Sequence, residues 1–366
     1  MTTTAARTTR REPTSGTIHR RAVRVGRWSM VLRPAMVVVM TLSVAALVRL
    51  FCVSIGRGDY PLSIADVLRV MAGSGSRIEN FVVMDLRLPR TLTGILVGAA
   101  LGLSGAITQS VARNALASPD LLGITAGSGA AAVALIVFTG SGTIVGVLAS
   151  IGLSMAALLG GLLAAVVVYA ASWRRGVSGF RLILVGIGVN AFLTAVTSWM
   201  LISADIEDVA RAQLWLTGSL NGSSNDRLLP LVVTITVMVV AVSIAAPKLA
   251  AMRLGDDTAQ SLGVDVARTG AFFLLAAVVL AAVATAAAGP IGFVALAAPQ
   301  IALRLFRSAG PPLLGSAVWG ALLVTGSDVI ARTVLPVELP VGIVTSALGG
   351  PFLIYLLVRR SRKASV

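Results

Sequence analysis

Ten apolar stretches divide the chain, at 35–56, 89–112, 124–140, 144–172, 181–203, 228–247, 267–289, 291–306, 313–335 and 340–358. Most approach the roughly 20 residues that an α-helix needs to cross a bilayer. Those at 124–140 and 291–306 are short, a length tolerated only where protein or a cavity surrounds the helix. The first run is too long for a signal-peptide core and lacks a small-residue cleavage site, so it reads as a retained spanning helix. Two polar connections, 57–88 and 204–227, are long enough to carry a short surface helix each. The pattern predicts an all-α polytopic membrane protein of about ten transmembrane helices.

Composition agrees. Of the 366 residues, 56% are hydrophobic and 12% charged, and the mean hydropathy is +0.91. A soluble domain carries about 25% charged residues. A chain with half that charge cannot cover its surface in water and must face lipid. Intrinsic disorder of the whole and nucleic-acid binding are excluded by the same numbers.

The net charge of +15 is concentrated at the ends. Arg7, Arg10, Arg11, Arg20, Arg21, Arg24, Arg27 and Arg33 fall within residues 1–34, which form a basic tail predicted to be disordered and cytoplasmic. Arg359, Arg360, Arg362 and Lys363 mark a second basic cytoplasmic tail, 359–366, after the transmembrane domain 35–358. With the N-terminus inside, alternate loops should also be basic. Arg113, then Arg174, Arg175 and Arg181, then Lys248, Arg253 and Arg268, and finally Arg304 and Arg307 satisfy this. The connection 204–227 holds Asp205, Glu207, Asp208 and Asp226 and belongs outside. Both termini are therefore expected in the cytoplasm.

One cysteine, Cys52, and one histidine, His19, leave no Cys/His metal cluster and no histidine triad to assemble. Neither lysine, Lys248 or Lys363, follows a glycine, so a phosphate-binding loop is absent and the chain is expected to hydrolyse no ATP. Gly186 and Gly188 sit in a spanning segment without the strand–helix context of a dinucleotide site. Gly94, Gly98, Gly102 and Ala106 recur every fourth residue, a smooth stripe for close helix packing. Asn190, Thr194, Thr197 and Ser198 share one face of the fifth span. That face is either ordinary packing with hydroxyls bonded to their own helix or the wall of a passage for a large polar solute. The stretch from Gly255 to Gly263 reads as a short cytoplasmic helix between two glycines, suited to docking a soluble partner.

These residues resemble the permease subunits of bacterial ABC importers for iron-siderophores, haem and cobalamin, the FecCD-type family. Asp85-Leu-Arg-Leu-Pro-Arg90 followed by Gly98 to Gly105 is similar to the family's opening motif. Asn114-Ala-Leu-Ala-Ser-Pro-Asp-Leu-Leu-Gly123 resembles its asparagine-proline-leucine-alanine loop, with Ala115 where proline is usual. Leu254 to Val264, Gly289-Pro-Ile-Gly-Phe-Val294, Glu338 to Thr345 and Gly350-Pro-Phe352 continue the match in order. Pro299-Gln300 stands where the family pattern reads proline-histidine, a variant similar to permeases that transport ferric catecholate (enterobactin) beside a second, different permease.

The resemblance implies a subunit that performs no covalent chemistry and holds no cofactor. ATP and Mg would be bound by two partner ATPase subunits. A second permease subunit, in a homo- or heterodimer, would complete the passage through the cytoplasmic membrane, and an extracytoplasmic solute-binding protein would deliver ferric siderophore. Gly255, Asp256, Ala259, Leu262 and Gly263 would contact the ATPase, with Ala259 and Leu262 forming an apolar pair. Arg87, Arg90 and Arg332 would accept carboxylates of the binding protein. Val177, Ser178 and Gly179 would form the gate, and Asn190, Thr194, Thr197 and Ser198 the path. Cobalamin or haem import by the same family is an alternative. An ion-coupled secondary carrier is the rival from another class, for which Asp328 is the acidic candidate within a span.

Overall fold

A computed structural model of the chain describes residues 21–25, 28–32, 34–58, 60, 62–140, 152–172, 179–334 and 337–364. Its helices in chain order are α1 (Pro34–Gly56), α2 (Ile64–Met71), α3 (Arg77–Asn80), α4 (Leu88–Val111), α5 (Ile124–Gly140), α6 (Leu153–Ser172), α7 (Gly179–Ile202), α8 (Ile206–Leu216), α9 (Asn225–Met252), α10 (Asp256–Ser261), α11 (Val266–Ala288), α12 (Val294–Leu305), α13 (Leu313–Thr333) and α14 (Val341–Ala364). A π-helical turn, Phe81–Arg87, leads into α4, and a 3₁₀ turn, Pro119–Leu122, precedes α5. Within the tail expected to lack structure, Arg21–Val25 and Trp28–Leu32 pair as an antiparallel ribbon that precedes α1 in the chain.

Seven helical stretches among the described residues are long and apolar enough to cross a membrane; α5, α12 and the Val341–Leu356 part of α14 are shorter apolar helices. Each falls within or overlaps a segment predicted from the hydrophobic pattern, of which residues 144–151 lie outside the described residues. The long connections carry α2, α3 and α8. Ser63 and Ser76 start α2 and α3 as reciprocal capping boxes with Asp66 and Glu79, which satisfies the free N–H groups of each first turn.

The core is built around α4. Nearly every α4 residue from Val97 to Ser110 is buried, against 6% of the apolar stretch of α1 and 11% of that of α7, so α4 is interior and the other two are peripheral. It packs against α13, α11 and α12, with Val97, Leu101, Ile107, Phe273, Leu280 and Val324 in one apolar cluster. The glycine stripe explains the closeness. A Cβ added at Gly98 would lie 2.7 Å from Ala321 Cα, and one at Gly102 would lie 2.9 Å from the Ser316 carbonyl carbon. Gly105 faces Ala295 of α12 in the same way, 2.6 Å from its carbonyl carbon. Backbone thus touches backbone, the route by which helices gain dispersion contacts where lipid provides no hydrophobic drive.

Two glutamines inside this core pair with each other. Gln300 donates to Gln109 Oε1 at 2.6 Å, and Gln109 donates to the Leu296 carbonyl at 3.1 Å, both side chains being buried. Gln300, flagged by the sequence as a departure from the family pattern, therefore ties α12 to α4.

Candidate functional site

One face of α7 forms a groove of about 450 Å³. Asn190, Thr194 and Thr197 line it, while Ser198 lies on the same helix exposed beside it. The hydroxyls are bonded to their own helix: Thr194 donates to Asn190 O (2.8 Å), Thr197 to Leu193 O (2.8 Å) and Ser198 to Thr194 O (3.0 Å). Those three could face lipid at little cost. Asn190 is different. Its exposed amide makes no side-chain hydrogen bond among the described residues, and an unsatisfied amide in hydrocarbon costs several kcal/mol, roughly 2–7. Asn190 is thus the member of this face whose amide is not satisfied by its own helix among the described residues.

The groove has two ends. Leu216 and Pro290 close the one beside α8 and the α11–α12 connection. At the other stand Asp120, of the 3₁₀ turn, and Thr125, of α5. Asp120 accepts the Thr125 hydroxyl at 2.5 Å, and burial pushes its carboxyl above the ordinary 3.8, opposed by the hydrogen bonds from Thr125 and Ser118. Sequence reasoning passed over Asp120, although a Ser-Pro-Asp turn ending at Gly123, whose φ is +73°, marks a built feature. Of the expected gate, Val177 and Ser178 lie outside the described residues, and Gly179 is the first residue of α7.

A second zone lies at the loop end near Asp120. Gly255 (φ +116°) and Gly263 (φ +79°) bracket α10, conformations that L side chains rarely adopt. Asp256 and Leu262 are exposed, Leu262 by 63%, but Ala259 is completely buried. Leu262 caps α10 rather than continuing it, so it and Ala259 do not share a surface. The expected outward apolar pair is therefore replaced by one inward and one outward residue. Two arginines anchor this corner. Arg113 donates to Met252 O (2.8 Å) and Asp256 (2.5 Å), and Arg253 to Ser110 Oγ and Pro311 O, both at 2.8 Å. Arg113 binds α10 to the end of α4, and Arg253 binds the end of α9 to α4 and to the α12–α13 loop.

The third zone lies at the opposite end. Arg87 is buried and donates to the carbonyls of Ile55 (2.8 Å) and Tyr60 (2.6 Å). Arg90 pairs with Asp328 at 2.8 Å and with Glu338 at 2.7 Å. Arg332 pairs with the other oxygen of Asp328 at 3.0 Å and donates to Ser54 Oγ at 2.9 Å, and Ser54 shares a hydrogen bond with Thr91. Of the three arginines expected to receive a partner's carboxylates, Arg90 and Arg332 thus already hold internal carboxylates and Arg87 holds backbone carbonyls. Asp328 is a counter-ion for two guanidiniums, which also removes it as a free mid-membrane acid for ion coupling.

Comparison with known proteins follows the same lines. Residues 45–359 match the FecCD transport family. The chain is 42% identical to the ferric enterobactin transport system permease protein FepG of Escherichia coli (strain K12) over 84% of its own length and 91% of that protein. It is 38% identical to the iron(3+)-hydroxamate import system permease protein FhuG of Bacillus subtilis (strain 168), covering 88% and 97%. It is 37% identical to the cobalamin import system permease protein BtuC of Halobacterium salinarum, covering 77% and 75%. Among solved structures, an inward-facing metal-chelate type ABC transporter superposes with a TM-score of 0.75 at 27% identity, covering 88% of this chain and 99% of that one. With its multi-pass helical bundle and its ordered motifs, the chain belongs to the FecCD transport family.

Proposed function

We propose that the chain is the permease subunit of an ATP-binding-cassette importer that moves ferric siderophore across the cytoplasmic membrane. The observation that carries this reading is the α7 groove, a polar half-passage on a helix that its own chain leaves mostly uncovered. A half-passage needs a second permease subunit opposite it. The exposed surface of α10, held by Arg113 through Asp256, supports an ATPase partner below. That partner would bind ATP and Mg and supply the energy, and an extracytoplasmic binding protein would dock at the Arg90 end. Transport would proceed by alternating access, each partner favouring one arrangement of the bundle.

Reconstitution of the chain with its second permease, ATPase and binding protein tests this directly. ATP-dependent accumulation of radioactive iron supplied as siderophore is expected, unaffected by ionophores that collapse ion gradients. Accumulation that follows an ion gradient without ATP would establish a secondary carrier instead. Accumulation of cobalamin but no ferric chelate would place the chain with its cobalamin-importing relatives.

A further inference from the structure

We infer that a cleft between α6 and α9 holds one phospholipid of the leaflet at the Arg90 end, with its phosphate on Arg227 and an acyl chain against α11. This site is separate from the passage along α7 and needs only that the chain spans a membrane.

The cleft follows from where three helices end. α6 begins at Leu153, α9 begins at Asn225 and α11 ends at Ala288. α6 and α9 each pack on α11. The floor between them is formed by Val283, Ala286 and Ala287 of α11, side chains small enough to leave depth. Two lobes result. The first, of about 370 Å³, runs between Met155 and Leu158 of α6 and Pro230, Leu231 and Thr234 of α9. The Thr234 hydroxyl is spent on the Pro230 carbonyl at 2.8 Å, so this wall asks for no polar ligand. The second lobe, of about 430 Å³, opens toward the polar connection and carries Trp215, Ser219, Asn221 and Glu338. Arg227 lines both lobes.

Charge identifies the occupant. Arg227 Nη1 donates to the Gly222 carbonyl at 3.3 Å, and among the described residues no carboxylate pairs with this guanidinium. The other charges of the polar lobe are offset. Arg211 lies 3.8 Å from Glu207 and 3.7 Å from Asp208, and Glu338 holds Arg90 at 2.7 Å. A guanidinium without a carboxylate, set where an apolar lobe meets a polar one, is complementary to a lipid phosphate, which it can hold by two parallel hydrogen bonds. Free phosphate would use the polar side alone and leave the apolar lobe unfilled. Tryptophan is enriched at the level of lipid headgroups, and Trp215 stands in the polar lobe. Asp226, exposed at the rim beside Arg227, suits the ammonium of a zwitterionic headgroup.

The test titrates the full chain, delipidated in mild detergent, with phosphatidylethanolamine and counts bound lipids by native mass spectrometry. One lipid should bind more tightly than those that follow. Arg227→Ala should weaken that first binding on the order of tenfold, the loss of a hydrogen bond to a charged group, while Arg227→Lys should keep most of it. Thr234→Trp, which fills part of the apolar lobe, should weaken it as well. Should Arg227→Ala fail to accumulate, Arg227→Gln carries the same expectation. Glycerol phosphate at the same concentration should displace none of the bound lipid. First-lipid binding that is unchanged in either the Arg227 or the Thr234 variant would overturn the proposal, as would displacement by glycerol phosphate. A parent chain that binds no lipid more tightly than the rest would also overturn it and leave the cleft to a protein helix.

Discussion

Arg90 and Asp328, 238 residues apart, meet through two hydrogen bonds to a single carboxylate oxygen, Nε at 3.0 Å and Nη2 at 2.8 Å. Arg332 takes the other oxygen. Asp328 therefore joins the start of α4 to the end of α13, and its side chain is 2% exposed. Asp328→Asn keeps the shape but leaves two largely buried guanidiniums facing one another. Removing one partner of a buried pair costs about 3–5 kcal/mol. A large loss of thermal stability in detergent is expected, and a melting temperature equal to the parent's would show that the cluster is dispensable. Glu338→Gln should cost about 1 kcal/mol or less, because Glu338 is 47% exposed.

Glu338 also bears on docking. A binding-protein carboxylate that engages Arg90 must replace Glu338, since Asp328 fills the inner side of the guanidinium. Glu338→Gln should therefore tighten capture of the binding protein several-fold in a pull-down titration at low salt, with the effect shrinking as salt rises. Weakened capture would mean that Glu338 itself belongs to the docking surface. Arg87→Glu is expected to reduce the amount of folded protein, because its carbonyl partners, Ile55 and Tyr60, cannot accept from a carboxylate.

At α10 the structure changes which substitution is informative. Ala259 is completely buried, so Ala259→Arg should disrupt the local fold rather than only the ATPase contact. Leu262 is exposed and uncharged. Leu262→Arg should leave the purified chain as stable as the parent while lowering transport per ATP hydrolysed. Full coupling in that variant would move the ATPase contact elsewhere.

The hydrophobic pattern alone located the helices, because each spanning segment is a local run whose composition a bilayer dictates. That Asn190, Thr194 and Thr197 share one face of α7 was legible for the same reason, as helical spacing is local. The partners of Arg90 and Gln109 were not, since both pairs join positions on different helices with no periodicity between them. Ala259 was misplaced because a six-residue helix buries whichever side its flanking glycines turn inward, and that turn is set by tertiary contact. Asp120 was overlooked because a turn residue gains its meaning only when α5 and α7 enclose it.

Close packing of α4 predicts intolerance at Gly105. An added Cβ would lie 2.6 Å from the Ala295 carbonyl carbon, with backbone rather than a flexible side chain in the way. Gly105→Val should force α12 from α4 and cost at least about 1–3 kcal/mol, the usual range for overpacking. Gly188→Ala is the control, because a Cβ there meets nothing within 4 Å. Detergent-solubilised yield and melting temperature should fall for the first and hold for the second. Equal behaviour of the two would show that α4 and α12 can separate freely.

The raised carboxyl of Asp120 has a consequence for stability whose sign is fixed. Burial disfavours the charged form, so the folded-state pKa lies above the ordinary 3.8, with Thr125 and Ser118 only partly offsetting the shift. Below the unfolded value the group is protonated in both states and contributes no penalty. As pH rises between the two values, the unfolded chain ionises first and folding becomes less favourable. Above the folded value the penalty is complete. The parent should therefore gain stability on acidification through this window, relative to a variant lacking the charge. Asp120→Asn removes the titration and retains an oxygen to accept from Thr125. It should melt at a higher temperature than the parent at pH 7, and the difference should shrink toward pH 4. A variant less stable than the parent at neutral pH would mean that the Thr125 and Ser118 hydrogen bonds outweigh desolvation of the carboxylate.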